Sequence, residues 1–182
     1  MQIIKKWGSS VAALVAAILA LALSACSGMV ATTTAAGVST TETTKAIKVL
    51  TDSELLDQAE LLGLKSEFSV MILFSIILTV AAIALIVFAA ISILKNLNVV
   101  RINNKILSII GLSLAGLFLV ATIGVLASSM AYADSMADIM SAMYAGIAEI
   151  SITVGVFQPT MLVVGIICPA VIAFCEFKSV KE

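Results

Sequence analysis

The side chains with the greatest capacity for covalent chemistry in this chain are its three cysteines. The sequence contains no histidine. Cys26 closes the tetrapeptide at residues 23–26 (LSAC), whereas Cys168 and Cys175 lie close together in the C-terminal apolar stretch. On a helix, the spacing of the last two places them about 10.5 Å apart along the axis, which is too far for a mutual disulfide. The sequence therefore predicts that Cys168 and Cys175 do not form a disulfide with each other. Cys26 lies in a different sequence context, at the end of an N-terminal apolar run.

The segment before Cys26 has the order of an export signal. Lys5 and Lys6 form a basic start, Val11 to Leu23 forms an apolar run, and small residues follow. The end of this segment, Leu23-Ser24-Ala25-Cys26, resembles the lipobox of bacterial lipoprotein precursors. The resemblance covers this segment alone. It implies that Cys26 becomes the first residue of the mature protein and carries a diacylglycerol on its sulfur.

The composition is that of an integral membrane protein. Hydrophobic residues make up 62% of the chain, charged residues make up 12%, and the mean hydropathy is +1.20, all far from the averages of soluble proteins. Three uncharged apolar segments, at 68–94, 106–127 and 150–174, exceed the roughly 20 residues that a helix needs to cross a bilayer. Because a backbone in hydrocarbon must satisfy its own hydrogen bonds, each segment is predicted to be a transmembrane helix.

The alternative for residues 1–25 is an uncleaved first helix, since Trp7 to Ala25 is almost long enough to span a membrane. The predicted fold is thus an all-α integral membrane protein with three transmembrane helices after the signal, or four if the signal is retained. In this organisation residues 26–67 form an external segment, and residues 68–182 form the membrane domain.

Charged residues orient the predicted helices. The loop at 95–105 carries Lys95, Arg101 and Lys105 and no acid, whereas the connection at 129–149 carries acids and no base. By the positive-inside rule, the basic loop and the C-terminal tail are cytoplasmic. The mature N-terminal segment is then extracytoplasmic, which is the side where lipidation of a cysteine takes place.

Two external segments are predicted to contain short interfacial helices. Met29 to Thr44 is a low-complexity tether without apolar periodicity, and a helix begins at Thr51, which forms a capping box with Glu54. The segment at 129–149 is amphipathic, and its apolar face consists of Tyr132, Met136, Ile139, Met140, Met143 and Ile147. Both helices are predicted to lie on the membrane surface, the first with the alternative of binding a partner. The methionines are interpreted as adaptable apolar surface and not as a metal site.

Each transmembrane segment carries a stripe of small or polar residues, which let membrane helices approach closely and bond to one another. The residues predicted to serve helix packing, or a pathway through the membrane, are Gly111, Ala115, Gly155, Gln158, Pro159 and Gly165. Proline lacks a backbone donor and clashes with the preceding turn, so a kink is predicted at Gln158-Pro159. Gln158 would then bond to the freed backbone groups, and Pro169 would bend the same helix near its inner end.

No catalytic constellation is visible in the sequence. It lacks histidine, a phosphate-binding glycine motif and a Gly-x-Ser-x-Gly elbow, and its three long apolar segments contain no acid of the kind that coupled pumps use. An enzyme acting on lipid or envelope precursors is therefore the weakest hypothesis.

We predict a non-enzymatic, lipidated, multi-pass protein of the bacterial cytoplasmic membrane that serves as a structural or accessory subunit of a membrane complex. Its partners would be the lipid bilayer and another membrane protein or a second copy of the chain. No cofactor, metal or nucleic acid is expected. The alternative is a small transporter or channel component that uses the kinked third helix around Gln158.

Overall fold

A computed structural model describes residues 2–181 of the chain, with side chains from 7 to 177, so the side chains of Lys5 and Lys6 lie outside the described residues. About 72% of the chain is helical. In chain order the elements are α1 (Gln2–Leu23), β1 (Ser27–Ala35), β2 (Val38–Lys45), α2 (Lys48–Thr51), α3 (Ser53–Leu61), α4 (Lys65–Asn96), α5 (Asn104–Met143), β3 (Glu149–Val154) and α6 (Phe157–Lys181).

Three helices, α4, α5 and α6, are long and apolar enough to cross a membrane, which confirms the predicted membrane-spanning segments. Their bounds differ from the prediction at the second and third segments. Helix α5 does not end near residue 127 but continues to Met143. Helix α6 begins at Phe157 and not at residue 150, because residues 149–154 form a strand.

The prediction of an all-helical fold is wrong at three places, where an antiparallel sheet forms with the strand order β2-β1-β3. The predicted tether is instead a β-hairpin, turned at Ala36 and Gly37, both of which have positive φ angles. Such angles at both central residues are those of the two-residue turn that matches the twist of paired strands. Threonine has a high strand propensity, and this propensity depends on packing against side chains of the paired strands. A strand can therefore form here without an apolar period in its own sequence.

The structure divides into two compact units, the first comprising residues up to 21, 77–123 and from 161 onward, and the second comprising 22–76 and 124–160. The second unit contains the sheet and a small apolar core. The buried members of this core are Met29, Val49, Ala59, Leu64, Phe68, Met71 and Tyr132. The rings of Phe68 and Tyr132 contact each other, with centroids 5.3 Å apart. This core therefore joins β1, α2, α3, α4 and α5.

The two helices that were predicted to lie on the membrane surface pack on this core instead. From α3, Leu55 and Leu56 contact it, and from the end of α5, Met136 and Ile139 do so. An apolar helix face can be buried against lipid or against protein. The amphipathic pattern of the sequence therefore does not distinguish a helix on the membrane surface from one packed on a protein core. The capping box also differs, because Asp52 and not Thr51 accepts the hydrogen bond from the Glu54 amide, at 3.1 Å.

In the first unit, α1 buries a face of small residues. The buried members of this face are Ser9, Ser10, Ala12, Ala13, Ala16, Ala17 and Ala20, and its large residues such as Leu14 and Ile18 are exposed. The Ser10 hydroxyl donates to the Ser92 hydroxyl of α4 at 2.8 Å, and both side chains are buried. Small residues facing inward and large ones outward are typical of helix packing in membranes.

Candidate functional site

Two of the glycines selected from the sequence lie where helices come closest. A methyl group on Gly165 of α6 would lie 2.7 Å from the Thr122 hydroxyl oxygen of α5, and one on Gly111 of α5 would lie 2.7 Å from the Phe88 ring of α4. The Thr122 hydroxyl donates to the Phe118 carbonyl at 2.7 Å, so its position is held by its own helix. At these distances a larger residue would force the Thr122 or Phe88 side chain to shift, which accounts for glycine at both positions.

Ala115 is buried at the edge of an apolar groove between α5 and α6, with a volume of about 400 Å³. The groove is lined by Leu112, Ala115, Gly116, Leu119, Ile166, Pro169, Ala170 and Ala173. A methyl group on Gly116 would have no neighbour within 4 Å. The groove therefore exposes small residues of the type that membrane helices use to approach one another.

Gly155 does not belong to the helical stripe in which the sequence placed it. It lies in the connection between β3 and α6, where its amide donates to the Gly28 carbonyl at 2.8 Å. A methyl group there would clash with the carbonyl oxygen of Ser27. The Ser27 hydroxyl in turn accepts from the Val156 amide at 3.2 Å. Gly155 thus allows β1 to approach the chain that leads into α6.

The condition for the kink predicted at Gln158-Pro159, a proline in the interior of a helix, is not met, because Pro159 is the third residue of α6. First-turn amides have no partner within their helix, so proline is tolerated there without breaking a hydrogen bond. Pro169 is the proline that lies inside α6. Gln158 is buried at the start of α6, and its Oε1 atom has no hydrogen-bond partner among the described residues.

Cys26 lies between α1 and β1. Its amide donates to the Leu23 carbonyl at 2.8 Å, and its carbonyl accepts from the Ala46 amide at 3.0 Å. The side chain is partly exposed and carries a free thiol. Cys168 and Cys175 are also free, as their spacing predicts.

A buried acidic side chain lies in α6, among none of the residues predicted from the sequence. Glu176 of α6 is buried, and its Oε2 atom accepts a hydrogen bond from the Ser108 hydroxyl of α5 at 2.6 Å. A methyl group on Gly111 would lie 3.4 Å from the Glu176 side chain, so glycine leaves room for it. Glu176 follows the uncharged segment 150–174, so the sequence predicts that it belongs to the cytoplasmic tail.

Comparison with known proteins found no match to a family model, to a curated protein or to a solved structure. Among the described residues, no group of three or more cysteine, aspartate or glutamate side chains could hold a metal ion. The contacts that the structure forms around the predicted residues are those of Gly165 with Thr122, and of Gly111 with Phe88 and Glu176.

Proposed function

We propose that this chain is a non-enzymatic, lipidated, multi-pass subunit of a complex in the bacterial cytoplasmic membrane. The observation that supports the subunit role is the groove lined by Ala115, Gly116 and Ala170 on the surface of the first unit. Lipid chains and apolar side chains are equally apolar, so helices associate in membranes through close van der Waals packing at small residues. An open, small-residue groove is suited to receive a helix from a partner protein or from a second copy.

Charge supports an orientation with the sheet outside and the C-terminus inside. The chain segments of the first unit carry seven bases and two acids, whereas those of the second unit carry three bases and nine acids. Basic residues are retained on the cytoplasmic side. The first unit includes the basic residues Lys95, Arg101 and Lys105.

Filling the groove should separate the chain from its partner without unfolding it. We expect Gly116→Leu to reduce the fraction of the chain found in a larger complex by about tenfold, because overpacking a contact costs about 1–3 kcal/mol. The isolated chain should not be destabilised, since nothing lies within 4 Å of the first added carbon at this exposed position and the open groove can hold the rest of the side chain. Leucine also favours the helix. Native gel electrophoresis after extraction in mild detergent measures the fraction.

The matched control is Ile123→Leu, an exposed position of the same helix that does not line the groove. It should leave the complex intact. A wild-type chain that runs as a monomer after cross-linking in its native membrane would contradict the proposed subunit role. An unchanged complex in Gly116→Leu would contradict the assignment of the groove as its interface.

The lipobox resemblance predicts a specific mature mass. We expect native protein to lack residues 1–25 and to carry a diacylglycerol on Cys26, as measured by intact-protein mass spectrometry. Cys26→Ser should retain the N-terminal segment and carry no lipid. A wild-type mass equal to that of the full chain would overturn the lipidation proposal. It would favour α1 as a permanent fourth helix, held by the Ser10–Ser92 hydrogen bond.

Cleavage would also have a consequence for packing. Loss of α1 removes the hydroxyl that bonds to Ser92 and uncovers the part of α4 that α1 contacts. The processed chain would then present a second surface for a partner helix, with a serine able to bond across it. Such bonds contribute about 0.6 kcal/mol on average in membranes.

A further inference from the structure

Two buried polar atoms in the membrane helices have no hydrogen-bond partner among the described residues: the Ser129 hydroxyl of α5 and the Gln158 Oε1 of α6. Ser129 is 1% exposed and Gln158 is 4% exposed. Buried polar groups are nearly always bonded, because an orphaned one loses its hydration without compensation. The adjacent residue, Ser128, shows the usual solution, since its hydroxyl donates to the Gly124 carbonyl at 2.7 Å.

The register of the two helices predicts that these atoms lie at the same level. Helices α5 and α6 are antiparallel, with Ser108 bonded to Glu176 and Thr122 packed on Gly165. Seven residues are close to two turns, so a step of that length returns to the same face of a helix. One such step along α5 leads from Thr122 to Ser129. The opposite step along α6 leads from Gly165 to Gln158.

We propose that Ser129 and Gln158 together bind one water molecule between α5 and α6. The Gln158 oxygen is an acceptor and requires a donor, while the serine hydroxyl both donates and accepts. No hydrogen bond joins the two side chains directly. Water is the smallest neutral molecule that donates to one atom and bonds to the other, and buried waters occur where two or more polar partners converge. The inference is independent of the proposed subunit role.

The water can be detected on the side-chain amide of Gln158 in the full-length chain. The sequence contains three glutamines, Gln2, Gln58 and Gln158, so labelling glutamine with nitrogen-15 yields few side-chain signals. We expect the Gln158 amide protons to show a cross-relaxation peak to water, with the sign of a long-lived bound molecule, in detergent micelles. The Gln58→Glu and Gln2→Asn variants assign this signal by elimination without altering the site.

Ser129→Ala should abolish that cross peak, because it removes one of the two atoms that hold the water. Ser128→Ala is the matched control and should retain the peak, since the Ser128 hydroxyl bonds to its own helix. Absence of the peak in the wild-type chain would overturn the proposal. Its survival in Ser129→Ala, with the dispersion of a folded spectrum, would also overturn it.

Discussion

Gly155→Ala should destabilise the second unit by about 2–4 kcal/mol, because the added methyl group overlaps the backbone of β1. The methyl group would meet the carbonyl group of Ser27, which belongs to the strand and cannot rotate away as a side chain would. Relief requires β1 and β3 to separate. This would break the hydrogen bond from Gly155 to Gly28 and the one from Val156 to Ser27.

Thermal unfolding in detergent measures the global loss, and hydrogen exchange of the β3 amides measures the local one. Gly116→Ala is the matched control, since a methyl group there meets nothing within 4 Å and a helix favours alanine over glycine by up to about 1 kcal/mol. Faster exchange of the β3 amides in Gly155→Ala alone is the expected result. Equal behaviour of the two variants would show that β1 and β3 tolerate the methyl group.

Ser108→Ala should destabilise the first unit by about 1–3 kcal/mol, because it leaves the buried Glu176 carboxylate without the donor at 2.6 Å. Glu176→Gln should cost less, since the amide keeps an oxygen that accepts from the same hydroxyl. The measurement is the free energy of unfolding in detergent micelles. Ser113→Ala is the control, because Ser113 is an exposed serine of the same helix.

A double-mutant cycle isolates the contact between the two side chains. Replacing both partners by apolar groups is less harmful than removing one, so Ser108→Ala combined with Glu176→Leu should be more stable than the sum of the two single changes predicts. Additive effects would show that the two side chains are energetically independent. The Ser108–Glu176 hydrogen bond would then not contribute to the packing of α5 against α6.

The membrane helices followed from the sequence, and the hairpin did not. Uncharged apolar runs of this length have one stable backbone form in hydrocarbon, so the existence of α4, α5 and α6 was predictable from composition. The end of α5 and the start of α6 were not. Residues 27–45 have no core-forming periodicity of their own. Their strands exist because Ala36 and Gly37 adopt a tight turn and because β3, more than a hundred residues away, pairs with β1.

The sequence of β3 contains two conflicting patterns. Residues 149–154 (EISITV) alternate polar and apolar side chains, which is the period of a strand. Residues 150–154 also begin a long apolar run, which predicts a membrane helix. Because β3 occupies residues 149–154, Gly155 lies in the connection to α6 and not in a helix. For the same reason Pro159 lies in the first turn of α6 and not in a helix interior.

The sequence by itself determined which stretches form apolar helices long enough to cross a membrane, which loops carry basic charge, and on which helix face Gly111 and Gly165 lie, because these depend on local composition and helical period. Only the tertiary structure decided which residues these helix faces contact. Gly165 meets Thr122, and Ser108 meets Glu176, while Gly116 borders an open groove. The physical reason is that helical period fixes the face on which a residue lies, whereas its partner depends on the register between helices distant in sequence.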